Sequence, residues 1–356
     1  MGIARPWWRM LVGGVFGGAR RIVWSRGWLV VRRNPCRLVR HRRGDVCGRR
    51  RAFLKGVGFA PSPAILYIPG ETLGLVRAAA SSASQSFLKV LLGTGTRLAK
   101  AGFAVHGVDY EGHGKSSGLQ GYISNLNDVV SDCFTYFASV CEKEEHRRKR
   151  KFLLGESMGG AIALMLHRKE PTFWDGAILV APMCKNFLRS TICTPMCYHE
   201  LLYVEEMKPS PMVITILSKL SNVIPTWKII PNEDIIDRAI KSQEWREEVR
   251  NNPYCYKGRP RLKTGYEIFM ASLDIESNLE KVTLPFIIVH GGADAVTDPA
   301  VSEALYTLAE SKDKTLKLYP GMCHALTSGE PENNIDIVFS DIIQWLDERA
   351  LVQKES

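Results

Sequence analysis

Gly155-Glu156-Ser157-Met158-Gly159 sets a serine between two glycines, a spacing that carries chemistry where a strand turns sharply into a helix. The apolar run Phe152-Leu153-Leu154 precedes it and the helical run Gly160 to Arg168 follows, so the context predicts such a turn. There a serine adopts strained backbone angles and its neighbours must be small, as Gly155, Gly159, Gly160 and Ala161 are. The turn aims the Ser157 hydroxyl out of the carboxyl end of a sheet and the Met158 N–H at a developing oxyanion. A serine hydroxyl is a weak nucleophile near neutral pH; it needs a base, and the base needs something to hold it. Asp294 follows the run Phe286 to His290, and His324 follows the run Leu316 to Tyr319. In that chain order the chemistry is acyl transfer, with Ser157 as nucleophile, His324 as base and Asp294 as orienting acid. The competing reading is a core serine, a capping aspartate and a histidine satisfied by packing.

Holding three such groups together calls for a scaffold in which several strands end at one edge. Apolar runs at Ala64 to Ile68, Phe103 to Asp109, Phe152 to Gly155, Gly176 to Val180, Phe286 to His290 and Thr315 to Tyr319 have strand length. Helix-like stretches at Thr94 to Ala101, Asn127 to Cys141, Met158 to Arg168 and Pro299 to Ala309 separate most of them, and Ile335 to Arg349 closes the pattern. This alternation predicts an α/β fold, a mostly parallel sheet with helices on both faces. It breaks between about Pro182 and Leu284, so a helical cap inserted at about 183–283 is predicted within a domain spanning 61–350. Inside the cap, Pro211 to Pro225 carries Met212, Val213, Ile214, Ile216, Leu217, Leu220, Val223 and Ile224. That stretch is either an apolar wall for an acyl chain or a face packed on the sheet.

A formal charge of +10 would suggest nucleic acid, but residues 1–60 hold 14 Arg and 1 Lys against the single acid Asp45. The remainder is close to neutral and slightly acidic, so no nucleic-acid partner is expected. Those first 60 residues, with four of the eight Trp, are open to three readings. They resemble a plastid or mitochondrial transit peptide that is poor in Ser, a signal peptide whose apolar region is Met10 to Ala19, or a disordered basic arm adsorbing to membrane through Trp and Arg. Nine Cys without a repeating pair point to a reducing, cytoplasmic setting rather than a disulfide framework. Cys193, Cys197 and His199 lack the second ligand pair that a zinc site needs, and no metal is expected. No run of 18 apolar residues occurs, so no spanning helix is predicted. Gly114-Lys115-Ser116 fails as a phosphate loop because Asp109 stands where a Gly is required.

The chain resembles the plant monoacylglycerol lipase-like proteins and caffeoylshikimate esterases of the α/β-hydrolase superfamily. The resemblance runs over roughly residues 93 to 350. It is carried by Gly93 to Leu98 (GTGTRL), Asp109 to Gly118 (DYEGHGKSSG), the Ser157 turn, Glu206 to Pro211 (EMKPSP), Asn252 to Gly258 (NPYCYKG) and the segments holding Asp294 and His324. It implies the α/β-hydrolase fold with a helical cap and a small-molecule ester substrate, a monoacylglycerol or lysophospholipid first and a phenylpropanoid ester such as caffeoylshikimate second. No metal or organic cofactor is implied, and peripheral membrane contact through the cap or the N-terminal arm is expected. It also places His113 in a loop beside the site as a structuring residue.

Two stretches depart from the family. Members carry His-Gly after the strand equivalent to Ala64 to Ile68, and the residue after that Gly supplies a second oxyanion N–H. Here the strand runs into Pro69-Gly70-Glu71, which makes the Glu71 N–H the available donor and sets a carboxylate nearby. Loss of one such donor costs about 100- to 1,000-fold in turnover. Asn186 to Val204 reads as an insertion at the entrance to the cap. These departures keep two rivals open, a non-catalytic or impaired binding protein on the same fold and an acyltransferase using the same three residues.

Overall fold

The computed structural model describes the backbone of residues 20–25, 28–33, 64–68 and 85–92, and backbone with side chains for 93–350 except 115, 145, 185–210 and 229–234. Within residues 1–60, β1 (Arg20–Ser25) and β2 (Trp28–Arg33) pair antiparallel, a pairing that none of the three readings of this arm specified. Ile22, Val23 and Trp24 pair in register with Val31, Val30 and Leu29, apolar and largely β-branched residues that suit a pleated pair.

The main sheet has β3 (Ala64–Ile68), β4 (Ala104–Gly107), β5 (Lys151–Glu156), β6 (Gly176–Val180), β7 (Phe286–Gly291) and β8 (Lys314–Tyr319). All neighbouring pairs are parallel, in the order β4-β3-β5-β6-β7-β8. The connecting helices are α1 (Gln85–Lys100), α2 (Leu126–Cys141) and α3 (Met158–Lys169), then α4 (Pro211–Val223), α5 (Ile235–Ala239), α6 (Gln243–Asn251) and α7 (Leu262–Glu276) between β6 and β7, and finally α8 (Pro299–Leu308) and α9 (Glu332–Ala350). Parallel strands cannot be joined by hairpins, so each connection crosses a face of the sheet and covers it. The predicted strands lie where the sequence places them. Helix α1 starts earlier than the predicted Thr94 and runs through Gly93 and Gly95, where an added Cβ would meet nothing within 4 Å.

Strand periodicity divides the core in two. Leu153, Leu179, Phe286 and Ile288 pack with α2, α3, α7 and α8 on one face, whereas Phe152, Leu154, Ile178, Val180, Ile287 and Val289 pack with α1 and α9 on the other. Each such side chain, wholly removed from water, contributes roughly 1.5–3 kcal/mol, which fixes the strand ends from which the functional loops emerge. Among the described residues no helix is long and apolar enough to cross a membrane. The thiols of Cys133, Cys141 and Cys255 are buried and pushed up to about 12, 11 and 11 by that burial, so they are poor nucleophiles and metal ligands near neutral pH.

His167, near the end of α3, is 1% exposed and its Nε2 accepts the Thr283 N–H at 3.1 Å. Burial lowers its pKa from 6.5 to about 4. The folded protein therefore keeps the ring neutral while the unfolded chain takes up a proton below about 6.5, and stability present above that pH is lost as it falls toward 4. Urea unfolding from pH 7 to pH 4 is expected to show a loss of up to about 3 kcal/mol that a His167→Gln variant largely escapes. An identical pH dependence in both proteins would remove His167 as its source.

Candidate active site

Ser157 stands between the last residue of β5 and the first of α3, at φ 51° and ψ −117°. A non-glycine residue holds such angles only where its surroundings over-determine them. Here the Ser157 N–H donates to Val180 O at 3.0 Å, and the Ser157 carbonyl accepts from Gly160 N at 2.9 Å and Met183 N at 3.0 Å. The turn is tight enough that a Cβ on Gly155 would lie 2.3 Å from the Gly159 carbonyl oxygen. Met158 is the first residue of α3, so its N–H belongs to the helix-terminal donors that no intrahelical carbonyl accepts, at the positive end of the helix dipole. The other expected oxyanion donor, Glu71, lies outside the described residues, as do Asn186 to Val204 and the Cys193, Cys197 and His199 group.

Asp294 and His324 come together in the loops after β7 and β8. Asp294 Oδ2 accepts the His324 Nδ1–H at 2.7 Å, and Oδ1 accepts the N–H groups of Val296 at 2.7 Å and Thr297 at 3.0 Å. The two loops can lie this close because Gly291 has no side chain; a Cβ there would sit 2.4 Å from the carbonyl oxygens of Met322 and Cys323. Burial alone would raise the Asp294 pKa, but hydrogen bonds from His290 and His324 and their proximity hold it far below the usual carboxylate range. An ionised Asp294 keeps the proton of His324 on Nδ1, which leaves Nε2 as the basic nitrogen.

The serine is tied to this pair through the carboxyl edge of β6. Val180 accepts from Ser157, the Ala181 carbonyl next to it accepts the Thr297 hydroxyl at 3.3 Å, and that hydroxyl lies 2.9 Å from Asp294 Oδ2 and 3.1 Å from His324 Nδ1. A second tie joins the flanks directly, since the buried Glu156 accepts the hydroxyl of Thr327, three residues beyond His324. The His324 loop is braced as well by Glu330, which accepts the Cys323 N–H at 2.6 Å, and by Ala239 at the end of α5, whose carbonyl accepts the Ala325 N–H at 3.0 Å. Glu156 and Thr327 escape a sequence reading because they meet across 171 residues of chain, and Thr297 and Glu330 because their contacts depend on how the loops fold back. His113 donates through Nδ1 to the Glu111 carbonyl at 3.0 Å and packs on Tyr110, holding its own loop, and burial lowers its pKa. A cleft of about 520 Å³ lies at the opposite end of α3, between Ser131, Arg168, Lys169 and Lys281. Its cations are engaged by Asp274, Ser131 and Asn278, and it is separate from these groups.

Of the two readings of the apolar stretch in α4, an acyl-chain wall and a face packed on the sheet, the second does not describe its outward side chains. Met212 is 72% and Val223 77% exposed, and Val213, Ile216, Leu220 and Trp227 are also open to solvent. The helix packs instead against α7, and its exit is tied to the start of α7 by Leu262 N–H to Trp227 O and Lys263 N–H to Pro225 O.

Comparison with known proteins agrees with this architecture. Residues 89–332 match the Hydrolase_4 family, described as serine aminopeptidase, S33. The caffeoylshikimate esterase of Arabidopsis thaliana is 34% identical over 70% of this chain and 70% of its own length. The monoglyceride lipase of Homo sapiens is 28% identical over 68% of this chain and 72% of its own. Among solved structures, a soluble variant of the monoglyceride lipase of Saccharomyces cerevisiae superimposes with a TM-score of 0.62 at 21% identity, covering 82% of this chain and 88% of that one. With its parallel sheet, its serine at a strand-to-helix turn and these matches, the chain belongs to the Hydrolase_4 family of the α/β-hydrolase superfamily.

Proposed function

We propose that this chain is a serine ester hydrolase of the monoglyceride lipase type, in which Ser157, His324 and Asp294 act as nucleophile, base and orienting acid. The observation that carries this is the buried Asp294–His324 hydrogen bond, tied through Thr297 and Ala181 to a serine held at φ 51°. In the reaction His324 Nε2 takes the Ser157 proton as Oγ bonds to the ester carbonyl carbon, and the Met158 N–H receives the oxyanion. His324 then returns the proton to the departing alcohol, leaving an acyl-serine. Water, deprotonated by the same nitrogen, releases the acid and restores the serine.

A monoacylglycerol or lysophospholipid is the preferred substrate, because the open apolar face of α4 and Trp227 suit an ester drawn from a lipid surface. A caffeoyl ester is the second reading, favoured by the 34% identity to an esterase of that name. The test is labelling of the full chain by a fluorophosphonate probe, with Ser157→Ala as control, followed by turnover of vesicle-borne monoacylglycerol and a soluble caffeoyl ester with and without glycerol. Labelling is expected in the wild type and absent in the variant, with the vesicle-borne ester turned over faster. A folded wild-type protein that does not label would favour the binding-protein reading. Ester product that grows with glycerol at the expense of free acid would favour acyl transfer.

A further inference from the structure

The Asp294 carboxylate serves two imidazoles. Besides His324, the ring of His290 reaches it, with Nε2 at 3.1 Å from Oδ2, the same oxygen that His324 uses. His290 is the penultimate residue of strand β7, is wholly buried, and is not required by the reaction steps above. Its tautomer follows from its partners. Nε2 faces the Thr297 carbonyl at 3.1 Å, the carboxylate at 3.1 Å and the Thr297 hydroxyl at 3.3 Å; the first two only accept and the hydroxyl has Asp294 Oδ2 and the Ala181 carbonyl to donate to, so Nε2 carries a proton. On the other side Nδ1 lies 2.7 Å from the hydroxyl of Ser302, a buried residue of α8 that can donate to it. The ring is thus clamped between a helix and the loop of the acid, its N–H directed to the Thr297 carbonyl and its Nε2 standing 3.1 Å from the carboxylate.

We propose that His290 is a positioning residue: its Nε2–H, bonded to the Thr297 carbonyl, is shared with Asp294 Oδ2 beside His324, holding the carboxylate ionised and in place while moderating its pull on the base. This rests on Ser157, Asp294 and His324 acting as above. The carboxylate receives the Val296 and Thr297 amides on Oδ1, and His324, His290 and the Thr297 hydroxyl on Oδ2. Each added donor spreads the negative charge, so the share left to stabilise a protonated His324 falls. The other ionisable groups nearby are the Cys323 thiol, raised by burial, the Lys241–Glu330 pair beyond it, and Arg238, which donates to the Ala295 carbonyl. His290 is the one of these that contacts the carboxylate beside His324.

The test compares His290→Leu with His290→Gln, whose amide nitrogen reaches the Nε2 position and still donates. For His290→Leu, kcat on an ester labelled at saturation is expected to fall about 10- to 100-fold with KM little changed, and the acid limb of kcat/KM to move up by about half to one pH unit. His290→Gln is expected to keep the limb in place and kcat within about fivefold of wild type. Equal losses in both variants without movement of the limb would overturn the proposal and leave His290 a packing residue. A second measurement is independent of turnover and of whether the Leu variant folds: histidine ring nitrogen NMR of the ¹⁵N-labelled wild type, with the His290 signal identified by its absence in His290→Gln. A protonated Nε2 whose signal shifts when Asp294 is replaced by Asn supports the proposal, and an unprotonated Nε2, or one unmoved by that replacement, overturns it. If the wild type fails to label at Ser157, the reading of the site fails, and the NMR result still decides the hydrogen bond from His290.

Discussion

Ser157→Gly is expected to be more stable than the wild type and almost inactive. The serine is held at φ 51° and ψ −117°, a region that glycine enters freely and that costs other residues about 1–3 kcal/mol. Every hydrogen bond that fixes this turn uses backbone atoms of residue 157, so glycine keeps all of them. Against the gain stands the greater freedom of glycine in the unfolded chain, about 0.5–1 kcal/mol. A net stabilisation of about 1–2 kcal/mol corresponds to a rise in Tm of roughly 1–3 °C for a chain of this size. Hydrolysis should fall by about five to six orders of magnitude, to what the oxyanion donors and binding alone sustain. Calorimetry of Ser157→Gly and Ser157→Ala side by side is the check, since alanine loses the hydroxyl and retains the strain. A glycine variant that melts below the alanine variant would show that the turn is relaxed and that its geometry does not reflect a functional demand.

Asp294→Asn is expected to cut kcat by about four orders of magnitude with little change in KM. The size of an amide matches that of a carboxylate, but its hydrogen bonds do not. Val296 and Thr297 direct two N–H groups at Oδ1, and His324, His290 and the Thr297 hydroxyl converge on Oδ2. An asparagine satisfies the two amides by turning its oxygen to them, which points its NH₂ at His324. The histidine must then accept at Nδ1 and carry its proton on Nε2, where the serine proton was to go. Two buried donors facing each other at His290 add a stability loss of about 1–3 kcal/mol. Steady-state kinetics and urea unfolding of the same preparation separate the two effects. Activity within tenfold of the wild type would sink the orienting role of Asp294.

The strands and the loops that hold the three candidate residues could be read from the sequence because both depend on local pattern. Phe152-Leu153-Leu154 before Gly155, and Phe286 to Val289 before the Asp294 loop, are continuous apolar runs of the kind a sheet covered on both faces requires. Composition hid the antiparallel pairing of Arg20–Ser25 and Trp28–Arg33, where arginines flank two short β-forming runs. Two glycines hid the first half of α1, since glycine in a helix costs stability that packing elsewhere must offset. The open face of α4 read equally as an inner wall, because an apolar stripe does not say which way it faces. His290 and Thr297 stood in plain view near Asp294, yet their roles depend on which atoms the fold brings within 3.3 Å.

The residues between β6 and β7 fall into two parts with different freedom to diverge. Pro211–Val223 packs on α7, so exchanging its outward side chains leaves the acid and base loops untouched. Ile235 to Ser242 behaves differently: Ala239 receives the Ala325 amide, Lys241 and Ser242 donate to Gly329, and the Lys241 side chain reaches Gly321, all in the loop that carries His324. A chimera that grafts a relative's α4 should therefore inherit ligand preference at little kinetic cost, whereas one whose junction falls between Ile235 and Ser242 would have to redesign the brace of the base as well. Evolvability in this chain is concentrated on one side of that seam.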